Sequence, residues 1–258
     1  MHANPYLITS ERKKLSLDAK ELLGHDIVFK TKPEPITEWS PESYQKFLKG
    51  NDIPSFEKVF LSIKKELEKY ILFEDSRFYH LISLWIIGTY FHRGMASYPY
   101  LSLQGNKACG KTKLLTFISV LSFQGLLNVG STAASITRLV HSNHSTCCVD
   151  EAENLKNTRD ENVMGILAIY NSGYKAGAKA MKCGKHHVIE MFESYSPKVF
   201  GGINRLNDTL ASRCIEIIMP PVANRKEFNE EIHHKSSEVN IPGLTPQGIS
   251  TEFKRSLS

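Results

Sequence analysis

The stretch from residue 105 to residue 112 constrains this chain more than any other feature. It reads Gly-Asn-Lys-Ala-Cys-Gly-Lys-Thr and matches the pattern G-x-x-x-x-G-K-S/T. The apolar run 98–103 before it predicts a strand, and residues 111–123 after it predict a helix. In that context the glycines allow backbone N–H groups to surround phosphate oxygens, and the helix adds its positive end. A fortuitous glycine-rich turn is the alternative.

The residues of this loop have distinct predicted roles. Lys111 is expected to reach the β- and γ-phosphates, and the Thr112 hydroxyl is expected to bind Mg²⁺. ATP and Mg²⁺ are therefore the predicted cofactors. The predicted nucleotide-binding residues are Gly105, Asn106, Lys107, Ala108, Cys109, Gly110, Lys111, Thr112 and Lys113.

A second element, residues 146–151, is a short apolar run that ends in two carboxylates. A buried strand that ends in Asp150 and Glu151 needs a cationic partner at that end. Asp150 fits the Mg²⁺ shell, and Glu151 fits a general base that orients and polarises the attacking water. A strand that ends in a solvated acidic turn is the alternative. The phosphate-binding pattern upstream favours the first interpretation.

From residue 98 onward, short apolar runs alternate with helical stretches. The alternation predicts an α/β fold, in which helices cover both faces of a parallel five-stranded sheet. The expected organisation is a helical N-terminal segment over 1–95, the α/β core over 96–220 and a polar C-terminal region over 221–258. The predicted strands are 98–103, 126–129, 146–149, 198–203 and 214–219. The predicted helices are 40–50, 56–71, 76–91, 111–123, 133–141, 161–171 and 225–238.

Two polar residues lie next to the fourth and fifth predicted strands of the core. Asn204 follows the fourth strand, whose tip can reach the γ-phosphate and the lytic water, so Asn204 is a candidate sensor; a turn-forming Asn is the alternative. Arg213 precedes the fifth strand, where a planar cation can project to a neighbouring subunit's nucleotide. Arg205 competes for that role, and a surface arginine or an in-chain ion pair is the alternative. The predicted catalytic set is Lys111, Glu151, Asn204 and Arg213.

Residues 98–220 resemble the AAA+ ATPases, a branch of the ASCE group of P-loop NTPases. The resemblance is carried by the loop 105–112, the Asp-Glu strand end, the Asn204 strand tip and the segment Ser212-Arg213-Cys214. It implies a three-layer α-β-α core, ATP hydrolysis and a homo-oligomeric ring. A looser resemblance is to AAA+ helicase or primase-helicase modules of plasmids, phages and other mobile elements. The residues that carry it lie at 84–90, 98–101, 171–177 and 197–203.

The chain departs from the AAA+ pattern at two places. Ala108 stands where many AAA+ loops have glycine, which can alter the turn. The AAA+ lid is a helical bundle, and residues 221–258 are short for one, so a partial lid or a flexible tail is expected there. Arg225 is a candidate second sensor arginine.

Residues 174–196 form an insertion that a minimal core does not need. The runs 178–183 and 186–192 predict a β-hairpin, with Gly184-Lys185 as a two-residue type II′ turn. The resemblance implies that such a hairpin projects toward DNA in the pore of a ring, where lysines would bind phosphates. A solvated basic hairpin is the alternative, and a metal site at Cys183 is disfavoured because no second ligand pair is evident. The predicted nucleic-acid contacts are Lys179, Lys182, Lys185, His186 and His187.

Composition and charge limit the class of protein. The formal charge of +5 permits nucleic acid as a partner without requiring it. The five cysteines are odd in number and show no C-x-x-C spacing, which argues for a reducing compartment and against a disulfide framework. Residues 1–20 lack the apolar core of a signal peptide, and the run 78–91 is too short and polar for a membrane span. We expect a cytoplasmic protein with no membrane partner.

Three functions compete on this evidence. The first is an AAA+ module that couples ATP hydrolysis to DNA binding and unwinding, as a ring-forming replicative helicase of a mobile element. The second is a nucleotide-dependent switch or assembly module, which the short lid favours. The third is a P-loop kinase, which is weaker because the Asp-Glu strand end suits water activation better than transfer to a bound acceptor.

Overall fold

The chain divides into two units. A computed structural model of the 258-residue chain describes residues 6–8, 12–16, 45, 48–50, 54–128, 131–183, 189–221, 244–245 and 248–249. One unit comprises Met1–Val59 with Ile241–Ser258, and the other comprises Phe60–Asn240. In the first unit β1 (Tyr6–Ile8) pairs with β2 (Lys14–Ser16) in an antiparallel ladder.

The elements after residue 55 alternate between helices and strands, as the sequence predicts. They are α1 (Phe56–Tyr70), α2 (Arg77–Gly88), β3 (Tyr100–Gln104), α3 (Lys111–Leu121), β4 (Leu126–Asn128), α4 (Ala133–Asn143), β5 (Cys147–Val149), α5 (Glu161–Ser172), β6 (Lys179–Cys183), β7 (Ile189–Glu193), β8 (Lys198–Gly202), α6 (Asp208–Ala211), β9 (Cys214–Ile218), β10 (Leu244–Thr245) and β11 (Gly248–Ile249). Two 3₁₀ turns lie at His92–Gly94 and Ala152–Lys156.

Five strands of the larger unit form one parallel sheet in the order β4-β5-β8-β3-β9. The predicted five-stranded parallel sheet is therefore present. Tyr100 and Leu101 point to opposite faces of β3 because successive side chains alternate, and both are fully buried. All residues of β8 are buried as well. Both faces of the central strands are thus covered, as parallel sheets require.

Strand β3 lies where the chain changes direction across the sheet. From β3 the chain crosses to the far edge at β4, returns through β5 and β8, and then passes over to β9. Because all five strands are parallel, the residues that follow β3, β5 and β8 all lie at the carboxyl end of the sheet, which is called the carboxyl edge below. A crevice at the carboxyl ends beside such a reversal is the usual ligand site of open α/β sheets.

The helices bury the apolar positions that their sequence spacing predicts. In α1, Ile63 and Leu67 are fully buried, and in α3 most residues from Leu114 onward are buried. Helix α2 ends at Gly88, earlier than the predicted residue 91. The Tyr98 hydroxyl packs against this end of the helix. The contact is so close that a Cβ added at Gly88 would lie 2.4 Å from the hydroxyl oxygen.

Several sequence predictions fall partly or wholly outside the described residues. These are most of the helix 40–50, all of the helix 225–238 with Arg225, and the hairpin residues Lys185, His186 and His187. In the part of the chain that the structure describes, no helix has both the length and the apolar character needed to cross a membrane.

The insertion forms the predicted hairpin, but its register differs from the prediction. Cys183 pairs with Ile189, so five residues (184–188) separate the last paired positions, and the two-residue turn at Gly184-Lys185 is wrong. The observed register places Ala180 opposite Phe192, whose ring packs on His141 at 5.4 Å between centroids. Burial of one hairpin face against the body selects this register, because an odd shift would turn that face outward.

The amino end of β8 carries a fully buried lysine, Lys198. Its ammonium donates hydrogen bonds to the Ser194 carbonyl (3.2 Å), the Ser196 carbonyl (3.0 Å) and the Ser196 hydroxyl (3.1 Å). It also lies 5.0 Å from the centroid of the Tyr100 ring. Burial lowers the pKa of Lys198 from 10.5 to about 8, and the nearby Cys147 opposes this shift. The lysine thus joins the segment after the hairpin to the core of the sheet.

We predict a pH-dependent stability contribution from Lys198. Its pKa is lower in the folded protein than the ordinary 10.5. The folded state therefore releases this proton first, and stability rises with pH between about 8 and 10.5. Urea denaturation of wild type and Lys198→Met at pH 7 and pH 9 should show the wild type gaining about 1 kcal/mol relative to the variant. Lys65→Met, on exposed α1 surface, is the charge-matched control. Parallel pH profiles for wild type and Lys198→Met would contradict the prediction.

Candidate nucleotide-binding site

The predicted phosphate loop, residues 105–112, connects β3 to α3 at the carboxyl edge of the sheet. The Gly105 N–H donates to the Gly202 carbonyl at 3.3 Å. A Cβ at Gly105 would lie 2.5 Å from the Met219 carbonyl oxygen and 2.7 Å from the Cys109 sulfur, so no side chain fits there. Gly110 caps α3 with φ 91°, a left-handed conformation that glycine adopts without strain.

Lys111 folds back over its own loop. Its ammonium donates to the carbonyl oxygens of Gly105 (2.7 Å) and Asn106 (2.9 Å) and lies 3.5 Å from the Cys109 sulfur. The positive charge is therefore held at the inner side of the loop, ahead of the N-terminus of α3. An anion bound there would meet both the ammonium and the helix N–H groups.

The structure brings Thr112 and Asp150 together across the sheet edge. The Thr112 hydroxyl donates to Asp150 Oδ2 at 2.7 Å, and the Glu151 N–H donates to Asp150 Oδ1 at 2.9 Å. A hydroxyl and a carboxylate at this separation can both reach one Mg²⁺, because that ion takes oxygen ligands at about 2.1 Å. Thr112 and Asp150, the two predicted metal ligands, therefore fit a Mg²⁺ ion. Among the described residues, no cluster of three or more His, Cys, Asp or Glu forms a metal site by itself.

Glu151 stands at the start of the 3₁₀ turn and is exposed. Its backbone is left-handed, with φ 54° and ψ 45°, and its Oε2 accepts a hydrogen bond from the Asn154 amide at 3.3 Å. A left-handed residue other than glycine costs about 1 kcal/mol or more, and such strain is concentrated at functional sites. The Glu151 backbone is thus fixed next to Asp150, and its carboxylate is held by Asn154.

The tip of β8 lies between the phosphate loop and the acidic pair, because β8 separates β3 from β5. A Cβ at Gly201 would lie 3.5 Å from Asp150 Oδ1, which shows how closely the strand passes the carboxylate. Asn204 is exposed two residues beyond the strand, at the same edge as Asp150. The Ile203 N–H donates to Glu153 Oε2 at 3.3 Å. The sequence did not single out Glu153, since nothing local marks it.

Arg213 lies at the amino end of β9, where its carbonyl accepts a hydrogen bond from the Tyr100 N–H at 2.9 Å. The strand β3 separates Tyr100 from the phosphate loop by roughly 13 Å along the sheet. The Arg213 guanidinium donates to the Asn171 side-chain oxygen at 3.1 Å and to the Thr209 carbonyl. Arg213 therefore stands at the edge opposite its own loop, and it is anchored within the chain.

The competing arginine, Arg205, is engaged in exposed ion pairs. Its guanidinium lies 2.8 Å from Glu216 Oε1 and 3.1 Å from Asp208 Oδ1. The hydrogen bond with Glu216 raises the pKa of Arg205 above its ordinary value. Arg205 is therefore held by two acidic residues of its own chain.

Lys113 lies in the first turn of α3, and the described lysines of the hairpin lie on β6. The Lys113 ammonium lies 5.8 Å from the centroid of the Tyr70 ring. In the hairpin, Lys179 is opposite Glu193 and Lys182 is opposite Glu190 in the register. The two described arms therefore carry as many acidic residues as basic ones. Met219, directly after β9, extends the β3–β9 ladder by donating its N–H to the Gln104 carbonyl at 2.7 Å.

Comparison with known proteins adds little. No protein-family model matches the chain, and no curated protein matches it. A crystal structure of JCV helicase bound to a thiazolopyridine-containing phenoxyphenyl acetamide is similar, with a TM-score of 0.37 and 15% sequence identity. The match covers 66% of this chain and 47% of that chain, so this chain spans less than half of the helicase it matches. A similarity this low does not establish a common fold.

We predict that Ala108→Gly stabilises the protein. Ala108 has φ 65°, a left-handed conformation that costs an alanine about 1 kcal/mol. Glycine removes this strain, although it raises the entropy of the unfolded chain by an amount that offsets part of the gain. Urea denaturation should show a free energy of unfolding that is higher than that of wild type by up to about 1 kcal/mol. The matched control, Ala134→Gly on the exposed face of α4, should lose about 1 kcal/mol. Equal losses in both variants would refute the prediction.

Proposed function

We propose that this chain is an AAA+ P-loop ATPase that binds ATP with Mg²⁺ and hydrolyses it. The observation that carries the proposal is the 2.7 Å hydrogen bond between Thr112, at the start of the loop helix, and Asp150, at the end of β5. A loop with the phosphate-binding pattern and a carboxylate two strands away meet at one sheet edge. Bound Mg²⁺ would neutralise charge on the β- and γ-phosphate oxygens.

The spacing of the strands leaves room for the reacting groups of ATP hydrolysis. Neighbouring strands are about 4.8 Å apart, so β5 lies about 10 Å from β3, with β8 between them. That gap accommodates a γ-phosphate next to Lys111 and a water molecule next to Glu151. Glu151 accepts the proton of that water, and Asn204, at the tip of β8, orients the water or the γ-phosphate.

A subunit interface completes the proposed site. Arg213 stands at the sheet edge opposite its own loop, so its guanidinium serves only the nucleotide of a neighbouring subunit. A planar cation there would stabilise charge on the transferring phosphoryl group. This arrangement requires a homo-oligomer, and a closed ring provides one such interface per subunit. Arg213 would exchange its contacts with Asn171 and Thr209 for the neighbour's phosphate.

The proposed work of the ATPase is movement on DNA, as in a replicative helicase of a mobile element, with the hairpin β6–β7 as the DNA contact. The charge balance of the hairpin arms favours a second candidate, a nucleotide-dependent assembly module without translocation. Lys179 and Lys182 are each opposite a glutamate in the strand register, so the two arms carry no net positive charge to attract phosphates. In the helicase, the DNA contact then depends mainly on Lys185, His186 and His187.

We predict that binding and hydrolysis separate in two variants. Lys111→Ala removes the cation at the loop and should weaken ATP affinity in a direct titration. Glu151→Gln keeps the shape of the side chain but removes the base, so it should bind ATP and lower turnover by about 10²- to 10⁴-fold. Glu161→Gln, an exposed glutamate at the start of α5, is the control. Unchanged affinity in the first variant, or near-normal turnover in the second, would overturn the assignment of that residue.

We predict that the hairpin lysines set the salt dependence of single-stranded DNA binding. Each phosphate contact contributes about 0.7 to the slope of log affinity against log salt. Replacing Lys179, Lys182 and Lys185 with Ala should therefore flatten the slope by about 0.7 if Lys185 alone contacts DNA, and by about 2 if all three lysines do. The control replaces the exposed Lys49, Lys58 and Lys65, with the same loss of charge. Parallel lines for the hairpin variant and wild type would favour the assembly module.

A further inference from the structure

Glu153 connects two segments that lie 50 residues apart. It is the second residue of the 3₁₀ turn Ala152–Lys156 and is half-buried. Its Oε2 accepts a hydrogen bond from the backbone N–H of Ile203 at 3.3 Å, just beyond the end of β8. A Cβ at Gly202 would lie 3.1 Å from the same oxygen. The carboxylate therefore occupies the space that the absent side chain of Gly202 leaves.

This hydrogen bond lies next to two candidate catalytic residues, Glu151 and Asn204. The turn that carries Glu153 begins immediately after Glu151, and Ile203 immediately precedes Asn204. One hydrogen bond thus joins the segment of the candidate base to the segment of the candidate sensor. Gly201 and Gly202 pair with β3, and the Glu153 contact adds a constraint on the residue that follows them.

We propose that Glu153 is a positioning residue of the ATPase site, which holds the tip of β8, and with it Asn204, at a fixed distance from Glu151. This inference rests on the proposed ATPase function. Glu153 acts as a hydrogen-bond acceptor. Its role is to keep Asn204 and Glu151 correctly placed on the two sides of the lytic water. A displacement of about 1 Å in such a site can cost about 10²-fold in rate.

The test compares a substitution that keeps a hydrogen-bond acceptor with one that removes it. Glu153→Gln keeps a carbonyl oxygen at the end of the same side chain and should keep kcat within about fivefold of wild type, since a neutral hydrogen bond is about 1 kcal/mol weaker. Glu153→Ala removes the acceptor and should lower kcat by about 10- to 100-fold. ATP affinity should change little in both variants, because the phosphate loop is untouched.

Amide hydrogen exchange at Ile203 provides a readout that does not depend on catalysis. The Ile203 N–H should exchange more slowly in wild type and Glu153→Gln than in Glu153→Ala, because only the first two retain the acceptor. Unchanged exchange in all three proteins would overturn the proposed contact. Glu161→Ala, another glutamate nearby in sequence, is the matched control and should leave both kcat and Ile203 exchange unchanged.

A double-mutant cycle excludes a general loss of structure. Gly202→Ala places its Cβ against the Glu153 carboxylate and should lower kcat in the wild-type background. In the Glu153→Ala background the same Cβ has space, so Gly202→Ala should add little further loss. Additive losses would show that the two residues act independently and would overturn the proposal.

The outcomes separate this inference from the proposed function. If the wild-type chain binds and hydrolyses ATP and Glu153→Ala matches it in kcat, the positioning role is wrong and the ATPase stands. If Glu153→Gln loses as much kcat as Glu153→Ala, the negative charge is what matters and the acceptor role is wrong. If wild type neither binds nor hydrolyses ATP, the proposed function fails, and the positioning role fails with it.

Discussion

The hydrogen bond between the Thr112 hydroxyl and the Asp150 carboxylate joins two halves of the candidate site across 38 residues of sequence. It forms because helix α3 begins close to the end of β3, while β5 ends at the same edge two strands away. The phosphate loop, the acidic pair and the tip of β8 meet only in this strand order. The local geometry of the site therefore depends on the parallel sheet rather than on contacts within any one segment.

The candidate site contains strained backbone conformations and tightly packed glycines. Ala108 and Glu151 are both left-handed although neither is glycine, and Gly105 and Gly202 are packed so closely that no side chain fits easily. Local strain of this kind persists only when the surrounding structure is rigid enough to hold it. At the opposite edge of the sheet, the buried ammonium of Lys198 joins the base of the hairpin to β8. One strand thus connects the hairpin to the candidate site.

Much of the larger unit could be predicted from sequence, because apolar spacing and glycine positions are local signals. The five strands, the helix after the phosphate loop and the hairpin all appear near their predicted positions. The hairpin register could not be predicted, because it depends on the packing of Phe192 against His141, a contact between distant segments. The contact of the Tyr98 hydroxyl with the Trp85 carbonyl near the end of α2 also joins distant segments.

The sequence by itself determined the pattern of the phosphate loop, the paired carboxylates Asp150 and Glu151, and the α/β class, since residue type and period alone carry these signals. Only the tertiary structure decided that Thr112 meets Asp150, that Arg213 stands at the edge away from its own loop, and that Glu153 binds the tip of β8. The physical reason is the same in each case. A parallel sheet brings residues together by strand order, and strand order is fixed by the burial of whole faces rather than by neighbouring residues.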